Sequence, residues 1–261
     1  VEETRRGADE ELQPTLKDKV CLITGSSRGI GKAIALAFAH EGAKVVVTYH
    51  TNRTEAMETI NEIASISQAG HVLNQADISK EEEVRRIIQE TKEDLGPIDI
   101  LINNAGIHKD GMSWRMDKEI WDAVLATNLT GTFLCTKHVL PVMRKRGWGR
   151  IINISSVIGE IGLAGACNYA ASKSGLFGFA RSVAKEVADK NITVNCVAYG
   201  YMNAGMNLRL PEETRQKVLQ DIPMKRFGTL EEAVAPVVFL CSDAASYITG
   251  QTLHVNGGFY L

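Results

Sequence analysis

Short runs of β-branched and apolar residues alternate along this chain with longer stretches whose apolar positions recur every three or four residues. "KVCLIT" is followed by a helical pattern from Gly29 to Glu41, then "KVVVTY", a second helical pattern from Thr54 to Ser67, and "HVLNQA". "VRRIIQETKEDL" is amphipathic, and "IDILIN" reads as a buried strand. "WDAVLATNLTGTFLCTKHVLPVMRKR" reads as one long helix and "RIINIS" as the next strand. A further helix, then "ITVNCV", a helical excursion from Pro211 to Asp221, a helix over "LEEAVAPVVFLCS" and a last strand "QTLHV" complete the series. Pro236 falls inside that last helix, where its missing N–H predicts a kink or a lost backbone bond.

Strand, helix and strand repeated in this order build βαβ units. The predicted fold is therefore α/β: a single-domain, Rossmann-type doubly wound sheet of about seven mostly parallel strands, with helices on both faces. No repeat or linker divides the 261 residues, so residues 16–261 are expected to form one domain. Residues 1–15, "VEETRRGADEELQPT", are polar and without apolar period, and read as a mobile tail.

Composition narrows the function by exclusion. A formal net charge of −2 gives no reason to expect nucleic acid, and the longest apolar stretches, such as "AVAPVVFLC", fall far short of the roughly 20 residues that cross a bilayer. Five scattered cysteines suit reduced thiols, and no His/Cys cluster has metal-ligand spacing, so no metal site is expected. The expected setting is the cytoplasm, or an organelle matrix if a targeting segment preceded Val1 and was removed.

"TGSSRGIG", Thr24 to Gly31, joins the first strand to the first helix. Its glycines allow a tight turn and close approach of backbone to a phosphate, and the helix aims its first amides at an anion. At the end of the second strand, where unphosphorylated NAD is held by Asp or Glu, the chain has Tyr49. Arg28 and Arg53 supply positive charge for a 2′-phosphate, or are merely solvated. "NNAG", Asn128 and the pair Ser155-Ser156 fall near the carboxyl ends of further strands, where such folds bind ligands. "NYAASK" places Tyr169 and Lys173 four residues apart on one helix face. A fixed ammonium there favours the phenolate, lowering the tyrosine pKa and equipping it for proton transfer; the bland alternative is a solvated lysine beside a half-buried ring.

TGxxxGIG, NNAG, the helical Asn, and a Ser thirteen residues before YxxxK together resemble the short-chain dehydrogenase/reductase family from about Leu16 to Leu261. The resemblance implies that Tyr169 is the general acid/base, that Lys173 lowers its pKa and holds the nicotinamide ribose, that Ser156 polarises the substrate carbonyl, and that Asn128 anchors a relay water. It also implies a cofactor, NADP(H), held by Gly25, Ser27, Arg28, Gly29, Ile30, Gly31, Tyr49, Arg53, Asp77, Ile78, Asn104, Ala105, Gly106, Tyr169, Lys173, Gly200 and Met202.

"NNAGIHKDGMSWRM", "RIINISSVIG" and "ASYITGQTLHVNGGFYL" look most like β-ketoacyl-acyl-carrier-protein reductases and acetoacetyl-CoA reductases, implying reduction of a 3-oxoacyl thioester. Arg146 and Lys185 match the basic residues that receive the carrier protein beside the site mouth, and a homotetramer is implied. Three departures stand out. Tyr199-Gly200 replaces the family's Pro-Gly and Ala204 a threonine, predicting a looser loop and weaker cofactor binding. Ala166 in "GACNY" removes a polar side chain from the substrate wall, and the neighbouring Cys167 is expected to pack rather than react. Alcohol, sugar or steroid dehydrogenation, and cofactor binding without catalysis, stay open.

Overall fold

A computed structural model describes residues 15–261; the expected tail, apart from Thr15, lies outside the described residues. The strands are β1 (Val20–Ile23), β2 (Lys44–Tyr49), β3 (His71–Gln75), β4 (Ile100–Asn103), β5 (Gly149–Ser156), β6 (Ile192–Tyr199) and β7 (Thr252–Val255). They form one sheet in the order β3-β2-β1-β4-β5-β6-β7, parallel throughout rather than mostly so. The order reverses at β1, which pairs Leu22 with Val46 of β2 and with Leu101 of β4. Such a reversal opens a crevice at the carboxyl ends of the strands.

Helices α1 (Gly29–His40), α2 (Arg53–Ile66) and α9 (Leu230–Cys241) cover one face of the sheet. Helices α3 (Glu81–Asp94), α5 (Gly131–Arg146) and α7 (Cys167–Val187) cover the other. Because successive strand side chains point to opposite faces, Cys21 and Ile23 of β1 join Ile34 and Phe38 of α1, while Val20 and Leu22 join Ile87 of α3 and Met143 of α5. Both faces are buried, so β1 (VCLI) and the first three residues of β4 (ILI) are unbroken apolar runs.

The single long helix predicted after β4 is interrupted. Helix α4 (Lys118–Leu125) runs into α5 through a π-helical turn, Ala126–Thr130, carrying Asn128. An extra residue per turn changes which side chain faces inward, and such turns mark functional positions. Two shorter helices, α6 (Ile158–Ile161) and α8 (Glu212–Asp221), follow β5 and β6. Helix α9 continues through Pro236 and starts at a capping box between Thr229 and Glu232.

Candidate active site

The glycine loop leaves β1 with Gly25 at φ +64° and Gly29 at φ +59°, the left-handed region that glycine adopts without strain. Its floor is tied down from two sides. Thr48 Oγ1 accepts the Gly25 amide at 2.9 Å, and Asn104 Nδ2 donates to the carbonyls of Thr24 (2.9 Å) and Gly25 (3.0 Å). A Cβ on Gly31 would run into Asn104 Nδ2 and lie 2.5 Å from the Gly25 carbonyl. No side chain caps α1 and no acid sits in its first turn, so its leading amides are free for an anion.

The other expected cofactor residues gather at the same end of the sheet. Ser27, Arg28 and Ile30 belong to the glycine loop and the start of α1, and Tyr49 ends β2, buried. Asp77 and Ile78 follow β3, and Asn104 to Gly106 follow β4. A Cβ on Gly106 would lie 3.3 Å from Asn128 Oδ1 and 3.6 Å from Lys173 Nζ, so this backbone packs against two of the expected catalytic residues. Arg28 and Arg53 are exposed near the end of β2. An acid intrudes here against expectation: Glu55 Oε1 lies 3.9 Å from Arg28, and its other oxygen is buried without a partner. His50, which the sequence reading passed over, follows Tyr49 and lies 3.9 Å from Asp77.

Tyr169 and Lys173 share a face of α7, with Nζ 5.7 Å from the phenol ring centre. Lys173 is buried and donates to the Ile154 carbonyl at 2.7 Å; burial pushes its pKa down to about 8. The predicted lowering of the Tyr169 pKa is absent. Burial pushes that phenol above its ordinary value, and the Ser156 side chain facing it, not Lys173, works in the opposite sense. Ser156 Oγ also accepts the Ile158 amide at 3.2 Å, while Ser155 Oγ holds the Lys173 carbonyl at 2.9 Å.

The Asn128 side chain ties the loop after β4 to α7. Its Oδ1 accepts the Ile107 amide (2.8 Å), and its Nδ2 donates to the Ile107 carbonyl (3.0 Å) and to Ser172 Oγ (3.1 Å). Its own carbonyl accepts the Thr132 hydroxyl at 3.0 Å.

Tyr199, where the family has proline, is anchored to the neighbouring helix. Its hydroxyl, buried under α9, donates to the Ala233 carbonyl at 2.6 Å. Beyond it, Gly200 and Met202 are held by Gly200 N to Val255 O (3.0 Å) and Asn207 Nδ2 to Met202 O (2.9 Å), and Asn203 N bonds Gly228 O (2.7 Å). Ala166 is fully buried at the start of α7 and faces no open wall. Cys167 packs its sulfur 3.9 Å from that of Met116.

Arg146 and Lys185 do not flank this chain's own site. They lie near the C-terminal ends of α5 and α7, and α7 alone carries Lys185 about 24 Å from Tyr169 at ~1.5 Å per residue. Arg146 pairs at 2.7 Å with buried Asp99, which in turn accepts the amide of Val20 at the amino end of β1. A cavity of about 390 Å³ beside the C-terminus is lined by Tyr201, Met202, Met224, Arg226 and His254. It includes Met202, one of the expected cofactor residues, and touches none of the four expected catalytic residues.

Residues 25–260 match a family model described as enoyl-(acyl carrier protein) reductase. The 3-oxoacyl-[acyl-carrier-protein] reductase FabG of Aquifex aeolicus is 46% identical over 252 residues, covering 95% of this chain and all of the relative. The FabG of Staphylococcus epidermidis is 42% identical over 244 residues, covering 94% of this chain and all of its own. A crystal structure described as a short-chain alcohol dehydrogenase from Sinorhizobium meliloti superposes with a TM-score of 0.90 at 37% identity, covering 95% of this chain and 98% of its own. With the glycine cradle, Ser156, Tyr169 and Lys173 at one end of a parallel sheet, these matches show that the chain is an oxidoreductase of the short-chain dehydrogenase/reductase family.

Proposed function

We propose that this protein reduces the 3-oxo group of an acyl thioester, linked to acyl carrier protein or CoA, using NADPH, with Tyr169 as the general acid. The observation that carries the reading is the phenol of Tyr169 set between Ser156 and buried Lys173, at the end of the sheet that holds the glycine cradle. The cradle fits a dinucleotide, because a Cβ at Gly31 would fill the space between Asn104 and the Gly25 carbonyl. Gly25 to Gly31 would hold the pyrophosphate, Asp77 and Ile78 the adenine, and Asn104 to Gly106, Lys173, Gly200 and Met202 the nicotinamide half. Tyr49 in place of an acid, with Arg28 and Arg53 nearby, favours a 2′-phosphate.

When bound, the nicotinamide supplies a hydride to the carbonyl carbon. The protein handles the oxygen. Ser156 Oγ–H would donate to it, and Tyr169 would pass it the phenolic proton; burial keeps that proton in place near neutrality. The Ser156 side chain, which already works against the burial of this phenol, would stabilise the phenolate left behind, and Lys173 would hold the nicotinamide ribose. Asn128 acts through Ile107, fixing the loop beside the reacting group. A carrier-protein contact by Arg146 and Lys185 requires a neighbouring copy to bring them to a site mouth, consistent with the proposed homotetramer. Five free thiols suit the reducing environment of the cytoplasm or an organelle matrix.

NADPH oxidation with acetoacetyl-CoA, compared between the natural chain and Tyr169→Phe, tests the reading. Turnover that falls by ~10²- to 10⁴-fold in the variant, with NADPH binding retained, is expected. No turnover on the thioester but turnover on alcohols, sugars or steroids would replace the substrate. NADPH binding without turnover on any ketone would favour a non-catalytic subunit.

A further inference from the structure

His108 lies in the loop after β4, and its ring meets that of Tyr169 edge to face, with centroids 4.6 Å apart and planes at 84°. Nothing in the sequence distinguishes it from a loop residue. The structure holds the backbone on either side of it, and holds it with residues of the site. Ile107 is gripped at both N–H and C=O by Asn128. Lys109 gives its carbonyl to Asn168 Nδ2 at 3.0 Å, and Gly111 gives its amide to the Gly165 carbonyl at 2.8 Å.

Asn168 is the decisive link. It is fully buried, and while its Nδ2 holds the loop, its Oδ1 accepts the amide of Tyr169 itself at 2.7 Å. One side chain thus sets the start of the catalytic helix against the segment carrying His108. The imidazole Nε2 also lies 3.2 Å from Asp110 Oδ1. The imidazole is mostly covered, at 18% exposure. Edge-to-face pairs have a preferred geometry, so the contact restricts the tilt of the phenol rather than merely filling space.

We propose that His108 is a positioning residue for Tyr169, bracing the phenol so that its hydroxyl stays aimed at the reacting carbonyl beside Ser156. The inference rests on Tyr169 being the acid. A misaligned proton donor slows the chemical step while leaving ground-state binding largely intact. The ring supplies the brace, so another aromatic ring serves in its place.

The test compares His108→Leu, which keeps apolar volume without a ring, with His108→Phe, which keeps the ring. With NADPH and acetoacetyl-CoA, His108→Leu is expected to lower kcat about tenfold with KM and NADPH affinity within about twofold, and His108→Phe to recover most of the loss. In a tyrosine-labelled sample, the Tyr169 ring resonance, assigned by its loss in Tyr169→Phe, is expected to shift in His108→Leu through loss of the neighbouring ring current. Unchanged kcat and an unmoved resonance in His108→Leu would overturn the proposal, as would a His108→Phe protein as slow as His108→Leu. Full turnover by Tyr169→Phe would instead overturn the assignment of the acid, and the resonance reads the His108 contact even where the thioester is not turned over.

Discussion

Lys173 is a charged residue that the fold places where water cannot reach it, and its thermodynamics follow from that. With its folded pKa lowered from 10.5 to about 8, the unfolded chain holds more protons than the folded one between those values. Stability therefore rises as pH climbs through that window, and below about pH 8 the full penalty of burying an ammonium is present, about 3 kcal/mol. The bond to the Ile154 carbonyl returns about 1 kcal/mol of this. Lys173→Met is expected to unfold at a higher temperature than the natural chain at pH 7, with a gain of about 1–2 kcal/mol, and to lose most of its activity. Melting both proteins at pH 7 and near pH 10 checks it: the advantage should shrink at the higher pH, and a pH-independent difference would show that charge burial is not its source. The Tyr-Lys pair itself was legible from spacing alone, but the direction of the phenol's pKa was not. Spacing reveals that an ammonium is near; it does not reveal that burial outweighs it or that the lysine is spent on a backbone carbonyl.

At the level of elements, the sheet could be read from the sequence almost in full, because the central strands are buried on both faces and β1 and β4 leave short, dense apolar runs. The glycine cradle was legible for the same kind of reason: its conformations exclude most other residues. Gly31→Ala would push a methyl into Asn104 and the Gly25 carbonyl, so NADPH affinity is expected to fall by at least tenfold, read by fluorescence titration. Unaltered affinity would mean that the loop relaxes or that the cofactor lies elsewhere. The π turn at Asn128 left no such mark, since its residues fit an α-helix as well as a π turn. Nor did the loop after β6 disclose its anchoring, because the partner of Tyr199 is a backbone carbonyl 34 residues on. Removing that hydroxyl in Tyr199→Phe leaves one fewer donor on a buried carbonyl and is expected to cost about 1–2 kcal/mol, measured by urea unfolding. A weaker NADPH complex in the same variant would tie the loop's anchoring to cofactor binding. An unchanged unfolding midpoint would show that the bond is not maintained in solution.

At the scale of the whole molecule, two groups among the exposed apolar side chains of the described residues lie on separate surfaces. Phe133 of α5, 46% exposed, lies edge to face with Phe179 of α7 on one. Phe239 of α9 and Leu253 of β7, 44% and 39% exposed, lie on the other, where β7 ends the sheet with an unpaired edge. An exposed aromatic on neighbouring helices, and a free strand edge, are each surfaces that folded chains tend to cover. Two distinct self-complementary contacts on one chain generate a closed tetramer with dihedral symmetry, whereas one generates only a dimer. Light scattering of the natural chain is therefore expected to give four copies. Phe133→Glu should leave a dimer held by the β7 surface, and adding Leu253→Glu should leave a monomer with the helical content of the parent. A natural chain that scatters as a monomer would refute the assembly. Without a neighbouring copy, Arg146 and Lys185 would have no route to a site mouth, and the carrier-protein contact assigned to them would fail with it.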